Sequence, residues 1–283
     1  MEAPHLARAV DAGRSVASGL GLPVDRTEIV HNSNRIAVRL SPCNVLARVG
    51  PPPFRSGLEA EIAVALALAG TGCPVAQLDP RVEARVYNHD DFAVTLWTFH
   101  EPVPPPELEP DEYVDVLRRM HAAMATISPP SPHFTDRVAD ALRDVGVREL
   151  SPELGEADRD LLRWTLEEFT SRICGRRPAE QLLHGEPHPG NLLRTRHGLL
   201  LVDLETYCRG PIEFDVAHVP VDVGDVYPGL DPDLLRDCRI LMQAMITAWR
   251  WRDDDEFPGR RYWRRENLRR LRAALDATED DDA

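Results

Sequence analysis

The hardest constraint on this chain lies in the stretch from His184 to Asp203, where regular structure is first forbidden and then re-imposed. Pro187, Pro189 and Gly190 deny the backbone both helix and strand. The polar residues His184, Glu186, His188 and Asn191 must therefore stand on an irregular loop. Two short apolar runs follow, LLRT and LLLVD, separated by Arg196-His197-Gly198. That pattern predicts a tight hairpin, and a hairpin here returns Asp203 to the side of Asn191.

These residue types point to phosphoryl transfer. Glu186 and Asn191 have the spacing of the Asp and Asn in the protein-kinase pattern H-R-D-x-x-x-x-N, and His184 takes the place of its His. Such chemistry needs a carboxylate to position an attacking hydroxyl and hard oxygen ligands to hold Mg2+ on the phosphates. Glu186 can supply the first; Asn191 and Asp203 can supply the second. Two other readings stand beside it. His184, Glu186 and His188 form an H-x-E-x-H string that could ligate a transition metal. The P-C-x-x-C of zinc deaminases and the H-E-x-x-H of zincins are both missing. A polar loop without chemistry is the other alternative.

Bulk properties narrow the class. The chain has 283 residues, 43% of them hydrophobic, enough for one large domain or two modest lobes. No apolar run approaches the roughly 20 residues that span a bilayer. The start, MEAPHLARAVDAGR, has no apolar core of a secretory signal. A cytoplasmic protein is the expectation, with no membrane partner. A net charge of −14 argues against nucleic acid as a partner and permits a cationic substrate. The five cysteines, Cys43, Cys73, Cys174, Cys208 and Cys238, form no CxxC pair and read as reduced, mostly buried thiols. There is no lysine, so all 33 basic side chains are arginine. Any role usually given to a catalytic lysine falls to arginine or is absent.

Patterning sets the architecture. A helix is predicted over 2–20, strands over 36–40 and 45–49 around the turn Ser41-Pro42-Cys43-Asn44, and a proline break at 51–53. A helix over 58–69 and strands over 83–88 and 92–97 complete a β-rich half. Phe99 to Pro110 reads as a linker. Beyond it, helices are predicted at 111–127, 134–145, 155–174, 232–251 and 262–276. The arginine-dense 260–275 reads as a solvated helix face beside Asp253, Asp254, Asp255 and Glu256, and 279–283 as a frayed tail. The expectation is an α+β chain, with a small β-rich N-lobe at 1–98 and a larger, mostly helical C-lobe at 99–283.

HGEPHPGN followed by VDLE resembles the aminoglycoside phosphotransferase family, with its choline-kinase and homoserine-kinase-like relatives. The resemblance runs from about residue 27 to 250 and is strongest over 182–219. It implies a protein-kinase-like two-lobe fold, ATP (or GTP) with Mg2+ between the lobes, and transfer of the γ-phosphoryl group to a hydroxyl of a small molecule. That molecule could be an aminoglycoside-like antibiotic, which would imply antibiotic resistance, or a hydroxylated metabolite. By position, Glu186 stands for the family's catalytic Asp, His184 for the His that orders the loop, and Asn191 and Asp203 for the metal ligands. Asp215, in EFDVAH, resembles the Asp that braces the C-lobe; it could equally be a helix cap. Arg48 stands where the phosphate-binding lysine sits, and Glu61 where the helix Glu pairs with it. His31 to Asn34, with Ser33 and Asn34 as ligands, would be the turn over the phosphates. Leu96 to Phe99 would be the hinge that meets the base, through Leu96 and Thr98. Glu205, Asp253, Asp254 and Asp255 are candidates to meet an amine of the acceptor, and His188 is a further candidate for substrate binding. A monomer or homodimer is expected.

Two positions depart from the family pattern. Glu186 is one methylene longer than Asp, and a misplacement of about 1 Å can cost 100-fold in rate. Arg48 replaces a compact point charge with a planar fork. The alternative they open is a catalytically impaired, pseudokinase-like nucleotide-binding module that acts through partners.

Overall fold

Alternation decides the first half of the chain. The structure is a computed structural model that describes residues 3–32, 35–51, 55–103 and 108–281. Among them, β1 (Val24–Asn32), β2 (Ile36–Pro42), β3 (Val45–Gly50), β4 (Tyr87–His89) and β5 (Phe92–Thr98) form an antiparallel sheet in the order β1-β2-β3-β5-β4. Ile36, Val38 and Leu40 of β2 and Val45, Ala47 and Val49 of β3 are sealed in one core with Ala9, Ala12, Val16 and Ala17 of α1 (Ala3–Gly19). Period two therefore turns Ala37, Leu46 and Arg48 to the opposite face. On β5, Ala93 joins a second cluster with Leu58 and Ile62 of α2 (Arg55–Leu68). The run FAVTLWT in β5 is apolar throughout because the strand is buried on both faces.

The strand predicted at 83–88 shrinks to Tyr87–His89. The Tyr87 hydroxyl donates to the Glu83 carbonyl at 2.6 Å, and Arg85 pairs with Glu83 at 2.9 Å, so this segment closes on itself instead of joining the ladder. The predicted turn after β2 is made at Cys43-Asn44, with Asn44 at φ +54°, a conformation Asn tolerates.

The chain divides into two compact units, Met1–Ser131 with Pro189–Tyr207, and Pro132–His188 with Cys208–Ala283. This packing differs from a division at residue 98. Helix α3 (Pro110–Met124) and the hairpin β7 (Leu192–Thr195) and β8 (Gly198–Leu201) belong with the sheet. Leu201 exchanges backbone hydrogen bonds with Pro74 and Ala76 at 2.8 and 3.0 Å, and Val103 donates to the Arg194 carbonyl at 2.9 Å. Arg194 forks onto Glu112 of α3 at 2.8 and 2.6 Å.

The second unit is helical. Helices α4 (Phe134–Gly146), α5 (Glu156–Gly175), α8 (Pro232–Arg250) and α9 (Arg260–Asp281) pack together. Their starts are written in the sequence: Asp231 accepts from the Asp233 and Leu234 amides ahead of Pro232, and His133 and Asp136 form a reciprocal cap on α4. The long predicted helices are present within a few residues at each end. The short α6 (Ile212–Val216) and α7 (Val221–Val226), and the antiparallel pair β6 (Gln181–Leu183) and β9 (Cys208–Gly210), were not predicted. Among the described residues, no helix is long and apolar enough to cross a membrane.

Asp215 lies inside α6, not at its cap. Its carboxylate, 0% exposed, accepts the His184 amide at 2.9 Å and the Gly185 amide at 2.7 Å. Two backbone donors at the head of the loop thus depend on one buried anion. Asp215→Ala should lower the free energy of unfolding by on the order of 3 kcal/mol, since both donors lose a charged acceptor; urea denaturation monitored by far-UV circular dichroism measures it.

Candidate active site

In the first unit, three elements deliver charge to one place. The face of β3 opposite α1 presents Arg48, α2 presents Glu61, and the end of β8 leads to Asp203. Asp203 stands at φ +70° and turns the chain into a 3₁₀ turn at Leu204–Thr206. Arg48 pairs with Glu61 and reaches Asp203 Oδ1 at 2.6 Å. Arg35, which the sequence analysis did not select, spans the same acids, with Glu61 at 3.4 Å and Asp203 at 3.2 Å, and it also pairs with Glu205. Glu61 is only 1% exposed. Burial pushes its carboxyl up, and Arg48 and Arg35 pull it back. Burial and the neighbouring Arg48 both lower the pKa of Arg35. Arg35 owes its place to Gly50: a Cβ there would come within 2.9 Å of Arg35 Cγ.

These groups border a cavity of about 340 Å³, within the usual size range of ligand sites. Ala37, Leu46, Trp97, Leu193 and Leu201 give it an apolar body; Arg48, Glu61, Asn191 and Asp203 give it a charged end. The hairpin register sets Asn191 beside this end, with Val202 N–H donating to the Asn191 carbonyl at 2.9 Å. The donor set fits a hard divalent cation: an amide oxygen and a carboxylate, with no soft ligand. Two protein oxygens suffice for Mg2+, which keeps waters and phosphate oxygens as its remaining ligands.

The other residues singled out from the sequence fall variously. Thr98 and Phe99 line the cavity, but their amides are committed to the Gln77 and Asn44 carbonyls at 2.9 and 3.1 Å. Leu96 does not line it; its side chain belongs to the α1 core and its carbonyl accepts from Asp79. Ser33 and Asn34 lie outside the described residues. Glu205 faces Arg35, so its charge is already matched.

His184, Glu186, His188 and Asp254 belong to the second unit. His184 is 0% exposed, and its Nδ1 accepts from the Glu186 amide at 3.4 Å. Gly185 between them takes φ +89°, which a side chain would resist. Arg137 of α4 donates to the Gly185 carbonyl at 2.9 Å and forms an ion pair with Glu186. Burial works against the Glu186 charge, but Arg137, His218 and His188 outweigh it and lower its pKa. His218 is pushed down to about 4, first by burial, and among the described residues its Nε2 has no hydrogen-bond partner. Asp254 is exposed and paired with Arg252 at 2.7 Å. Among the described residues, no three His, Cys, Asp or Glu groups converge as metal ligands, so the geometry gives the H-x-E-x-H reading no support.

Arg35, Arg137 and His218 are the residues the sequence analysis missed. His218 had a faint signal, one helical turn after Asp215 in EFDVAH. Arg35 and Arg137 had none, for each partner lies far along the chain.

The fold, a β-rich part and a helical part, is protein-kinase-like. Residues 30–237 match the sequence profile of the phosphotransferase enzyme family APH, and the chain belongs to that family. Solved structures share the fold at low identity. The amicoumacin kinase hAmiN, in complex with AMP-PNP, Ca2+ and Ami, aligns with TM-score 0.72 and 11% identity over 95% of this chain and 96% of its own. Choline kinase LicA from Streptococcus pneumoniae aligns with TM-score 0.71 and 12% identity, over 96% and 99%. Aminoglycoside phosphotransferase APH(3'')-Id from Streptomyces rimosus, in complex with ADP and streptomycin, aligns with TM-score 0.58 and 16% identity, over 83% and 98%. No curated protein matches the chain in sequence. The expected α+β, kinase-like architecture is the one observed.

Two outcomes follow from this geometry. Gly50→Ala should cost about 1–3 kcal/mol, the usual range for overpacking, because the near end of the Arg35 side chain cannot swing aside cheaply; equilibrium denaturation reads it. His218, with a folded pKa near 4, binds its proton less readily than in the unfolded chain. Stability should therefore fall as pH drops from about 6.5 to 4, by on the order of 3 kcal/mol from this group. His218→Gln should flatten that part of a plot of melting temperature against pH.

Proposed function

We propose that this phosphotransferase moves the γ-phosphoryl group of ATP, with Mg2+, to a hydroxyl of a small molecule. The observation that supports it most is the convergence of Arg48, Glu61, Asn191 and Asp203 on one cavity with an apolar body. An apolar slot suits a purine; the charged end suits a triphosphate. Asn191 and Asp203 are assigned to Mg2+, which when bound neutralises phosphate charge. Arg48, steadied by Glu61, offers its guanidinium to phosphate oxygens. Glu186, ionised and fixed by Arg137, accepts the hydrogen bond of the attacking hydroxyl and orients its oxygen. His184 holds the loop beneath it through its ring nitrogen and its amide. Little covalent work falls to the protein; positioning and electrostatics supply the acceleration.

In this reading residues 1–98 serve mainly the nucleotide and 99–283 the metal and the acceptor, and the enzyme acts in the cytoplasm. Related folds have been solved with AMP-PNP, ADP or GDP, so GTP is the natural comparison donor. The same relatives act on or bind amicoumacin, choline and streptomycin by their names, and those compounds head the acceptor panel. The test is ADP or GDP release with Mg-ATP or Mg-GTP over amicoumacin, streptomycin, choline, kanamycin and other hydroxylated compounds. Glu186→Ala should lower turnover with the best acceptor by about 10²–10⁴-fold, the range for a positioned acid–base group. Turnover within about threefold of the parent would remove Glu186 from the role.

A further inference from the structure

Glu186 poses a problem of length. An extra methylene gives its carboxylate more rotamers and a longer reach than an aspartate, yet a reacting hydroxyl must be held within a fraction of an ångström. Arg137 meets both difficulties. From the first turn of α4 its Nη1 donates to the Gly185 carbonyl at 2.9 Å, while its Nη2 holds Glu186 Oε1. One rigid fork thus grips the loop backbone and the loop side chain together. The guanidinium is itself fixed: its side chain is only 14% exposed, and it lies over the Trp249 ring at 5.3 Å.

We propose that Arg137 is the positioning residue for Glu186, and that the two form a matched pair in which the longer acid is required. An aspartate at 186 falls short of the fork by one methylene and leaves a buried guanidinium uncompensated. The other charged or titratable groups that bear on the pair are His218 beyond α6, His188 on the loop, Arg250 of α8, and Cys208 of β9 with Asp136 and Asp215 behind it. Arg137 forms the ion pair with Glu186 and is the group that most favours its anion. The inference rests on the acceptor-orienting role given to Glu186 above.

The experiment compares the parent with Arg137→Gln, Arg137→Lys, Glu186→Asp and the double variant Arg137→Gln/Glu186→Asp. ADP release from Mg-ATP is followed with kanamycin, streptomycin and choline across roughly pH 5 to 9, and thermal unfolding is recorded over the same range. Arg137→Gln should lower kcat at least about tenfold, with KM for Mg-ATP within about twofold. It should also move the acid limb of kcat/KM to higher pH, because a buried carboxylate without its guanidinium holds its proton longer. Arg137→Lys should restore part of the rate. Glu186→Asp should be no faster than Arg137→Gln, and the double variant should be little worse than either. Should Arg137→Gln fail to fold, Arg137→Lys and Glu186→Asp decide the matter.

An Arg137→Gln enzyme with the parent's kcat and acid limb overturns the inference. So does a Glu186→Asp enzyme as fast as the parent, and so does coupling seen in unfolding alone. Glu186→Ala separates the two levels of argument. Full turnover there ends the functional reading; lost turnover there beside an unimpaired Arg137→Gln ends only this inference.

Discussion

A buried carboxylate organises the first unit. Glu61 is withdrawn from water by α2, and an isolated anion in that position would cost several kcal/mol. It is tolerated because Arg48 and Arg35 converge on it, and those arginines in turn hold Asp203 and Glu205. Four segments are therefore tied at one point: the head of β2, the face of β3, the middle of α2 and the end of β8. Two guanidiniums against three carboxylates leave the cluster one negative charge, so it can still attract a cation. The absence of lysine gives this network its form. An ammonium is a compact point charge, whereas each guanidinium fork can serve two acids at once.

The second unit solves a similar problem with the roles reversed. There the backbone is the needy partner. The segment from His184 to His188 joins no ladder, so its amides must find other acceptors. Asp215 takes two of them from a fully buried position, and His184 takes a third. Arg137 occupies the Gly185 carbonyl. His218 stays neutral because burial forbids its charge. The result is a loop anchored through the backbone of His184, Gly185 and Glu186.

How much of this could be read from sequence follows from the range of each interaction. Hairpin β7–β8 was legible because turn chemistry and apolar runs are local, and so were the strands that alternate and the helices that carry caps. The return of Asp203 to the side of Asn191 was legible because the turn that produces it is local. Arg35 and Arg137 were not, because a contact spanning 168 residues in one case and 49 in the other leaves no periodic trace. Leu96 was assigned to a hinge from resemblance alone, through its backbone; the alternation of β5 sends its side chain to the α1 core. Asp215 had the right residue type for a cap, but Pro211 already starts α6, and the acid turns inward to the loop.

The two departures from the family pattern share a physical logic. Arginine for lysine and glutamate for aspartate each put a longer side chain at its position. A longer side chain has more rotamers to lose and needs a further anchor to lose them. In each unit that anchor is a second arginine: Arg35 beside Arg48, held by the same acids, and Arg137 beside Glu186. Each longer side chain is thus held by a buried partner: Arg48 shares Glu61 and Asp203 with Arg35, and Glu186 pairs with Arg137.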